Sequence, residues 1–179
     1  MALLQAEASR PEMDSRILTP VFAPLDQFLF EARFDSEDDL NKSWSNWEES
    51  GAGPAFRKNF EPLIHGEGRY DVWQIHQHAK APPTGGKFVN WRITCLIPGH
   101  KAEVLDLLTK TRGDRNRYQI LIPSQGSIYN IALVFEFDSV DVYLQEWADW
   151  ASQKATPAFW ETWNRGIDTN GENMVWQVA

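Results

Sequence analysis

The sequence has little cysteine and no long apolar run. Cys95 is the only cysteine among 179 residues, so no disulfide can form within the chain, and no Cys/His group has zinc-site spacing. A reducing, cytoplasmic location is therefore expected. Segment 1–16 has neither the basic start nor the apolar stretch of a signal peptide or membrane span. We predict that it is a disordered tail and that the protein has no membrane partner.

Positive charge is also scarce. The chain carries 17 Lys and Arg against 25 Asp and Glu, a formal net charge of −8 at pH 7. Such a surface repels nucleic-acid phosphates, so no nucleic-acid partner is expected. The sequence contains no phosphate-binding glycine loop, no Ser-His-Asp spacing and no HExxH metal motif. We therefore predict that the protein holds no metal.

Aromatic residues are abundant instead. The chain contains nine Trp and ten Phe, and 42% of its residues are hydrophobic. Aromatic side chains bury large areas where helices pack on sheets or line a cavity. This composition predicts a globular protein with enough apolar residues for one large domain or two small ones.

The sequence repeats itself at a single offset of 103 residues, at which Phe34-Asp35-Ser36 recurs as Phe137-Asp138-Ser139. The same offset aligns Trp44 with Trp147, Trp47 with Trp150, Pro54-Ala55-Phe56 with Pro157-Ala158-Phe159, and Trp73 with Trp176. Shifting 88–120 by this offset runs off the front of the chain, so the first copy is truncated. We predict that 17–76 superposes on 120–179, with Trp44 and Trp147 in equivalent buried places.

Period and turn residues predict an α+β fold. The later copy, 88–179, has strand, helix, hairpin, helices and closing strand in the order βαββαβ, which is the ferredoxin-like unit. The truncated copy, 17–78, lacks the opening strand and helix. Residues 79–87 contain two Pro and two Gly and are predicted to be a linker.

The later copy resembles a known group of proteins. Its run 128–178, with Glu136-Phe137-Asp138-Ser139, Pro157-Ala158-Phe159-Trp160 and Trp176, resembles the C-terminal part of NIPSNAP-like proteins in the dimeric α/β-barrel superfamily. The resemblance implies that two such sheets pair into a barrel-like shell. We expect the pairing within one chain; a homodimer that closes the barrel between chains is the open alternative.

The resemblance also bears on reaction and cofactor. Superfamily members include cofactor-free monooxygenases of antibiotic biosynthesis, polyketide cyclases and heme-degrading oxygenases, so the fold alone selects no function. The heme-degrading members need a strand-borne Asn and a late helical His, and the alignment places Arg92 and Trp163 there. The iron ligand is missing, and we expect no cofactor.

Strand alternation predicts a candidate site between the two sheets. In 88–97 the apolar set Val89, Trp91, Ile93, Cys95 and Ile97 should lie under the helices, as should Trp73 and Trp176 on the closing strands. Polar side chains would then line the interior. His76 is the predicted base and Arg92 the predicted oxyanion partner. The predicted ligand-binding residues are Asn90, Glu31, Gln74, Gln177 and Asn130.

Two functions fit these residues. The first is a cofactor-free monooxygenase or cyclase of secondary metabolism, acting on an aromatic or polyketide-like carbonyl compound in a cavity between the sheets. The second is a non-catalytic ligand-binding or assembly protein, in which Arg92 pairs with Glu31 or Glu136 because buried charges are usually neutralised. The sequence leaves both open.

Overall fold

The structure, a computed structural model, describes residues 8, 10, 14–23, 27–64, 71–79, 86–112, 118–125, 127–153, 157–168 and 171–179. The chain divides into two compact units: the first contains 1–19, 28–70 and Ala179, and the second contains 20–27 and 71–178. Most of the predicted tail and linker lies outside the described residues, although the first strand already begins at Asp14. The pairing of the two repeats into one shell stays a prediction.

The first unit contains an antiparallel strand pair followed by two helices. Its elements are β1 (Asp14–Phe22, whose last residues belong to the second unit), β2 (Leu29–Arg33), α1 (Glu37–Glu49), α2 (Ala52–Phe60) and a 3-10 turn (Glu61–Leu63). Helix α1 begins where the Ser36 hydroxyl accepts a hydrogen bond from the Asp39 N–H at 3.1 Å. Three acidic residues in its first turn complement the helix dipole.

The second unit is an antiparallel sheet with helices. Its elements are β3 (Trp73–Gln77), β4 (Phe88–Cys95), α3 (Lys101–Arg112), β5 (Gln119–Pro123), β6 (Asn130–Phe137), α4 (Val140–Gln153), α5 (Pro157–Gly166) and β7 (Glu172–Val178). The strand order in this unit is β7-β4-β6-β5-β3. The predicted α+β class is confirmed, and the elements over 88–179 follow the predicted order, with two helices before the last strand.

The strand β3 differs from its predicted place. The sequence assigns it to the truncated repeat, but it pairs antiparallel with β5, from Trp73 opposite Pro123 to Gln77 opposite Ile120, and belongs to the second unit. The predicted truncated repeat includes no opening strand, so its closing strand has no predicted partner within that repeat. Its backbone N–H and C=O groups therefore pair with another edge.

The two predicted repeats share a strand register but not the burial of their tryptophans. In the β1–β2 pair Arg16 lies opposite Glu31. In the β5–β6 pair Gln119 lies opposite Val134, and these two residues are the positions 103 after Arg16 and Glu31. However, Trp44 is 49% exposed and α1 has no buried residue, whereas Trp147 packs against the core. The predicted equivalent burial of these two tryptophans is wrong.

The hydrophobic core of the second unit lies between its sheet and its helices. Rings stack through it from Phe135 to Phe137 and on to Tyr143, at centroid distances of 5.6 and 5.1 Å. Each large side chain buried in this way stabilises the fold by about 1.5–3 kcal/mol. The buried members include Val104 and Leu108 of α3, Phe159 and Trp163 of α5, Ile120 of β5, Ile131 and Leu133 of β6, and Val175 of β7.

The opposite face of the same sheet is also apolar and buried. Val89 and Ala132 are fully buried there, and Trp176 is 3% exposed. The rings of Trp73 and Trp91 lie 6.2 Å apart although two strands separate β3 from β4. The sheet of this unit therefore curves away from the described helices of the same unit.

Helices α3 and α5 pack closely at Gly166. A Cβ atom on this residue would lie 2.5 Å from Val104 Cγ2, so Gly166→Ala is expected to lower the free energy of unfolding by about 1–3 kcal/mol through overpacking. Urea unfolding of both single variants and of the double variant with Val104→Ala measures the coupling. Strict additivity of the two substitutions would contradict this contact.

The same two helices are joined at the surface by Glu103. Its carboxylate contacts His100 Nδ1 at 3.0 Å and also pairs with Arg165. These contacts, led by the hydrogen bond with His100, lower the pKa of Glu103. A depressed folded-state pKa stabilises the protein above the unfolded-state pKa, and that contribution disappears as pH falls through the folded-state value.

Glu103→Gln is therefore expected to be less stable than wild type at pH 7 and to match it more closely at pH 3. Urea midpoints at the two values measure the difference. If Glu103→Gln lowered the urea midpoint equally at pH 7 and pH 3, the charge of the Glu103 carboxylate would contribute nothing to stability.

Candidate functional site

Three polar side chains of β4 face the helices: Asn90, Arg92 and Thr94, here called the polar row. Partners across a sheet ladder share a face. Asn90 lies opposite Phe135 and Val175, which both belong to the helix-side core. The predicted orientation of Asn90 and Arg92 away from the helices is therefore wrong.

The closing strands show the same reversal. Trp176 lies opposite Val89, and the Trp73 ring contacts Trp91, so both tryptophans lie on the face without helices, contrary to prediction. Gln74 and Gln177 lie opposite Ile122 and Phe88 and take the helix side. Both faces of this sheet bury apolar residues. The alternation of side chains along a strand therefore assigns residues to two faces, but it does not show which face the helices cover.

Arg92 is a half-buried cation whose guanidinium lies against two indole rings. Its Cζ lies 5.2 Å from the ring centroid of Trp147 on α4 and 5.3 Å from that of Trp163 on α5. Burial lowers the pKa of Arg92, and the nearby Tyr118 and Tyr143 partly oppose that shift. Desolvating a cation costs several kcal/mol, whereas each desolvated cation–π contact returns about 2 kcal/mol.

No carboxylate in the described part of the chain forms an ion pair with Arg92. Glu31 instead pairs with Arg16 and Arg33 in the first unit, at 3.0 Å each. Glu136 lies opposite Val89, on the face away from Arg92. The predicted ion pair of Arg92 with either glutamate is therefore wrong, and the guanidinium keeps its hydrogen-bonding capacity.

Hydrogen bonds fix the Asn90 side chain beside Arg92. Its Nδ2 donates to Asn173 Oδ1 at 2.8 Å and to the Met174 carbonyl at 2.9 Å, and Asn173 Nδ2 donates to the Tyr143 hydroxyl at 3.2 Å. Asn90 Oδ1 and Thr94 Oγ1 are buried without a hydrogen-bond partner. Each such group costs about 1–3 kcal/mol, so the row has polar capacity that the described residues do not use.

The other predicted site residues are dispersed. His76 and Gln74 are exposed on β3, which lies three strands from β4 and therefore about 14 Å away along the sheet. Gln177 is exposed near the end of β7, and Asn130 lies opposite Cys95 on the other face. Among the predicted residues of the second unit, the structure places only Asn90 and Arg92 in one cluster.

Sequence reasoning missed several members of this cluster. Thr94 is the next alternate residue of β4 after Asn90 and Arg92, so strand alternation alone places it on the same face. The alignment with heme-degrading oxygenases had placed Arg92 and Trp163 at two functional positions, and these side chains do touch. Tyr143 and Asn173 gave no signal because their roles depend on contacts between distant segments.

The described residues form neither a metal site nor a membrane-spanning helix. No three His, Cys, Asp or Glu side chains there come together as a metal site. None of the helices within the described ranges is long and apolar enough to cross a membrane.

The chain is similar in structure to solved proteins. No family model and no curated protein matches the chain. The solved structure of an anthrone oxidase-like protein is similar at 15% identity and a TM-score of 0.56, over 92% of this chain and 76% of that one. A provisionally named monooxygenase from Fusobacterium nucleatum subsp. nucleatum is similar at 16% identity and a TM-score of 0.57, over the same shares.

At these identities the likeness shows a shared fold and nothing about the reaction.

Proposed function

We propose that the second unit binds an aromatic carbonyl compound at the polar row and oxidises it with O₂ as a cofactor-free monooxygenase. The observation that carries the proposal is Arg92, a half-buried cation that pairs with no carboxylate of the described residues and lies against the rings of Trp147 and Trp163. The site lies between sheet and helices, not between two sheets. The names of the two structural relatives support the reaction class.

The chemistry of the cluster fits an acidic ketone such as anthrone. Loss of a proton from its CH₂ group leaves an anion with charge on the oxygen, which the Arg92 guanidinium stabilises, while the flat rings favour the indoles. The deprotonated carbon then bonds to O₂ to form a peroxide, and loss of the remaining C–H proton breaks the O–O bond. One oxygen atom becomes the new ketone, and the other leaves as water with the two hydrogens of the CH₂ group.

The test uses the purified full chain with anthrone. We expect quenching of tryptophan fluorescence without O₂ and, in air, consumption of one O₂ per anthraquinone formed. Arg165→Met is the matched control for Arg92→Met, because Arg165 is a half-exposed arginine. Loss of binding in both variants, or in neither, would contradict the assignment of Arg92.

A second candidate function is ligand binding without turnover. The observation that favours it is the place of His76, the predicted base, which is exposed on an edge strand away from Arg92. Anthrone binding without O₂ consumption would favour this function. If His76→Ala binds anthrone but no longer turns it over, His76 is instead the catalytic base.

We also propose that the chain is an internal duplication. The equal register of β1–β2 and β5–β6 at the offset of 103 supports it. The tryptophans then diverged in burial after the duplication. A structure of a relative with an untruncated first copy tests this directly.

A further inference from the structure

Five aromatic side chains of the first unit form one continuous cluster, and none of them is buried. The ring contacts run from Trp44 to Trp47, Phe56, Phe60 and Phe28, at centroid distances between 4.9 and 5.9 Å. Trp44 is 49% exposed and Phe28 is 36% exposed. A contiguous exposed apolar patch of this kind marks an interaction site on a protein surface.

The second unit shows what the corresponding side chains cover there. Trp147 and Trp163, the positions 103 after Trp44 and Phe60, lie against the Arg92 side chain of β4. Strand β4 pairs along its length with β6, the strand that corresponds to β2 at the same offset. In the described part of the chain β2 forms a ladder with β1 alone. The place that corresponds to β4 therefore holds no described strand in the first unit.

We infer that the first unit binds an extended segment of a partner protein as an added strand along β2, beneath α1 and α2. Strand addition to an open sheet edge is a common mode of peptide recognition. Helix α1 carries five carboxylates and one lysine, so a basic segment is complementary in charge. A Lys or Arg in the place of Arg92 meets the Trp44 ring as a cation–π contact. This strand site belongs to the first unit and is independent of the reaction proposed for the second.

A second copy of this chain fits the open edge of β2 less well than a single segment does. Two β2 strands paired across a two-fold axis would carry both α1–α2 pairs on the same face of the joined sheet. Each pair extends over the place beside its own β2, as α4 and α5 extend over β4. The two pairs would therefore occupy the same space, whereas an extended segment brings no helices with it.

The β4 segment of this chain is the probe, because it fills the corresponding place in the second unit. In that unit the Leu96 N–H donates to the Tyr129 carbonyl at 2.7 Å. Hydrogen-bonded pairs alternate along an antiparallel ladder, so the even-numbered N–H groups of β4 point toward β6. A synthetic peptide of 86–97 should therefore bind β2 through its even-numbered N–H groups and leave the odd-numbered ones in solvent.

The test measures the fluorescence anisotropy of this peptide, labelled at its end, with the full chain under reducing conditions. N-methylation of the peptide at Asn90 and Arg92 should weaken binding at least about tenfold, because two hydrogen bonds are lost. The matched peptide, N-methylated at Trp91 and Ile93, should bind like the unmodified one. Arg92→Met in the peptide should weaken binding about two- to fivefold through loss of an exposed cation–π contact.

Trp44→Ala in the protein should weaken peptide binding about tenfold, as expected for an aromatic anchor of an interface. Its melting temperature should stay near wild type, because Trp44 is half-exposed. Trp160→Ala, an exposed tryptophan of the second unit, is the control and should bind the peptide like wild type.

Three results would overturn the inference of a partner strand on β2. The first is no binding of the peptide, and the second is equal affinity for the two N-methylated peptides or for the two tryptophan variants. The third is a dimer of the chain, seen by sedimentation, that the peptide dissociates, since this would assign the edge of β2 to a second copy.

Discussion

Arg92→Met is expected to lower the affinity for an anionic aromatic ligand about 100-fold, the loss for two hydrogen bonds to a charged group. The free energy of unfolding should stay within about 1 kcal/mol of wild type, because two lost cation–π contacts and a regained desolvation penalty offset each other. Methionine fills the space with a flexible apolar chain. Binding and stability therefore separate in this one variant.

Urea unfolding and anaerobic ligand titration measure the two quantities. The matched Arg165→Met variant should keep wild-type affinity, since that side chain pairs with Glu103 on the surface. A loss of stability above about 3 kcal/mol with no ligand bound would make Arg92 a structural cation, held by its rings alone.

Trp163→Ala is expected to lower the free energy of unfolding by about 3–5 kcal/mol, the usual result of emptying a large aromatic site in a core. Trp163 is 6% exposed, stacks on Phe159 at 5.8 Å and covers Arg92. Its loss removes both packing and one of the two rings that stabilise the cation.

Trp160→Ala on the same helix is the control, since Trp160 is 39% exposed. Its loss should lower stability by less than about 1 kcal/mol. Chemical unfolding of both variants under the same conditions makes the comparison. Similar losses in the two would show that Trp163 does not anchor this helix.

The elements of the second unit were predictable because each has a local signal. Proline at position 157 begins α5, as expected of a first-turn proline. On β6 the odd-numbered residues from Ile131 to Phe137 face the helices, since only this one of the two alternating sets is fully apolar.

The orientation of β4 was not predictable in the same way. Its odd-numbered residues are the apolar ones, yet the even-numbered polar row lies under the helices. An arginine on the core-facing side of a strand contradicts the usual rule unless aromatic rings cover it, and those rings come from helices about 55–70 residues later in the chain. The candidate site is thus a place where the local rules of strand patterning fail.

The pairing of β3 was likewise beyond local reasoning. Nothing within 73–77 identifies β5 as its partner, because strand pairing is a long-range property. The repeat suggested a different place for β3, because it aligned Trp73 with Trp176 on β7.

The position of β3 in the chain also has a consequence during synthesis on the ribosome. This strand leaves the ribosome about 40 residues ahead of β5, so at about 5–20 residues per second it waits several seconds without its partner. During that interval its unpaired edge is open to other chains, as exposed edges generally are. Slower translation through 78–118 should therefore increase aggregation of the nascent protein more than slower translation after residue 123.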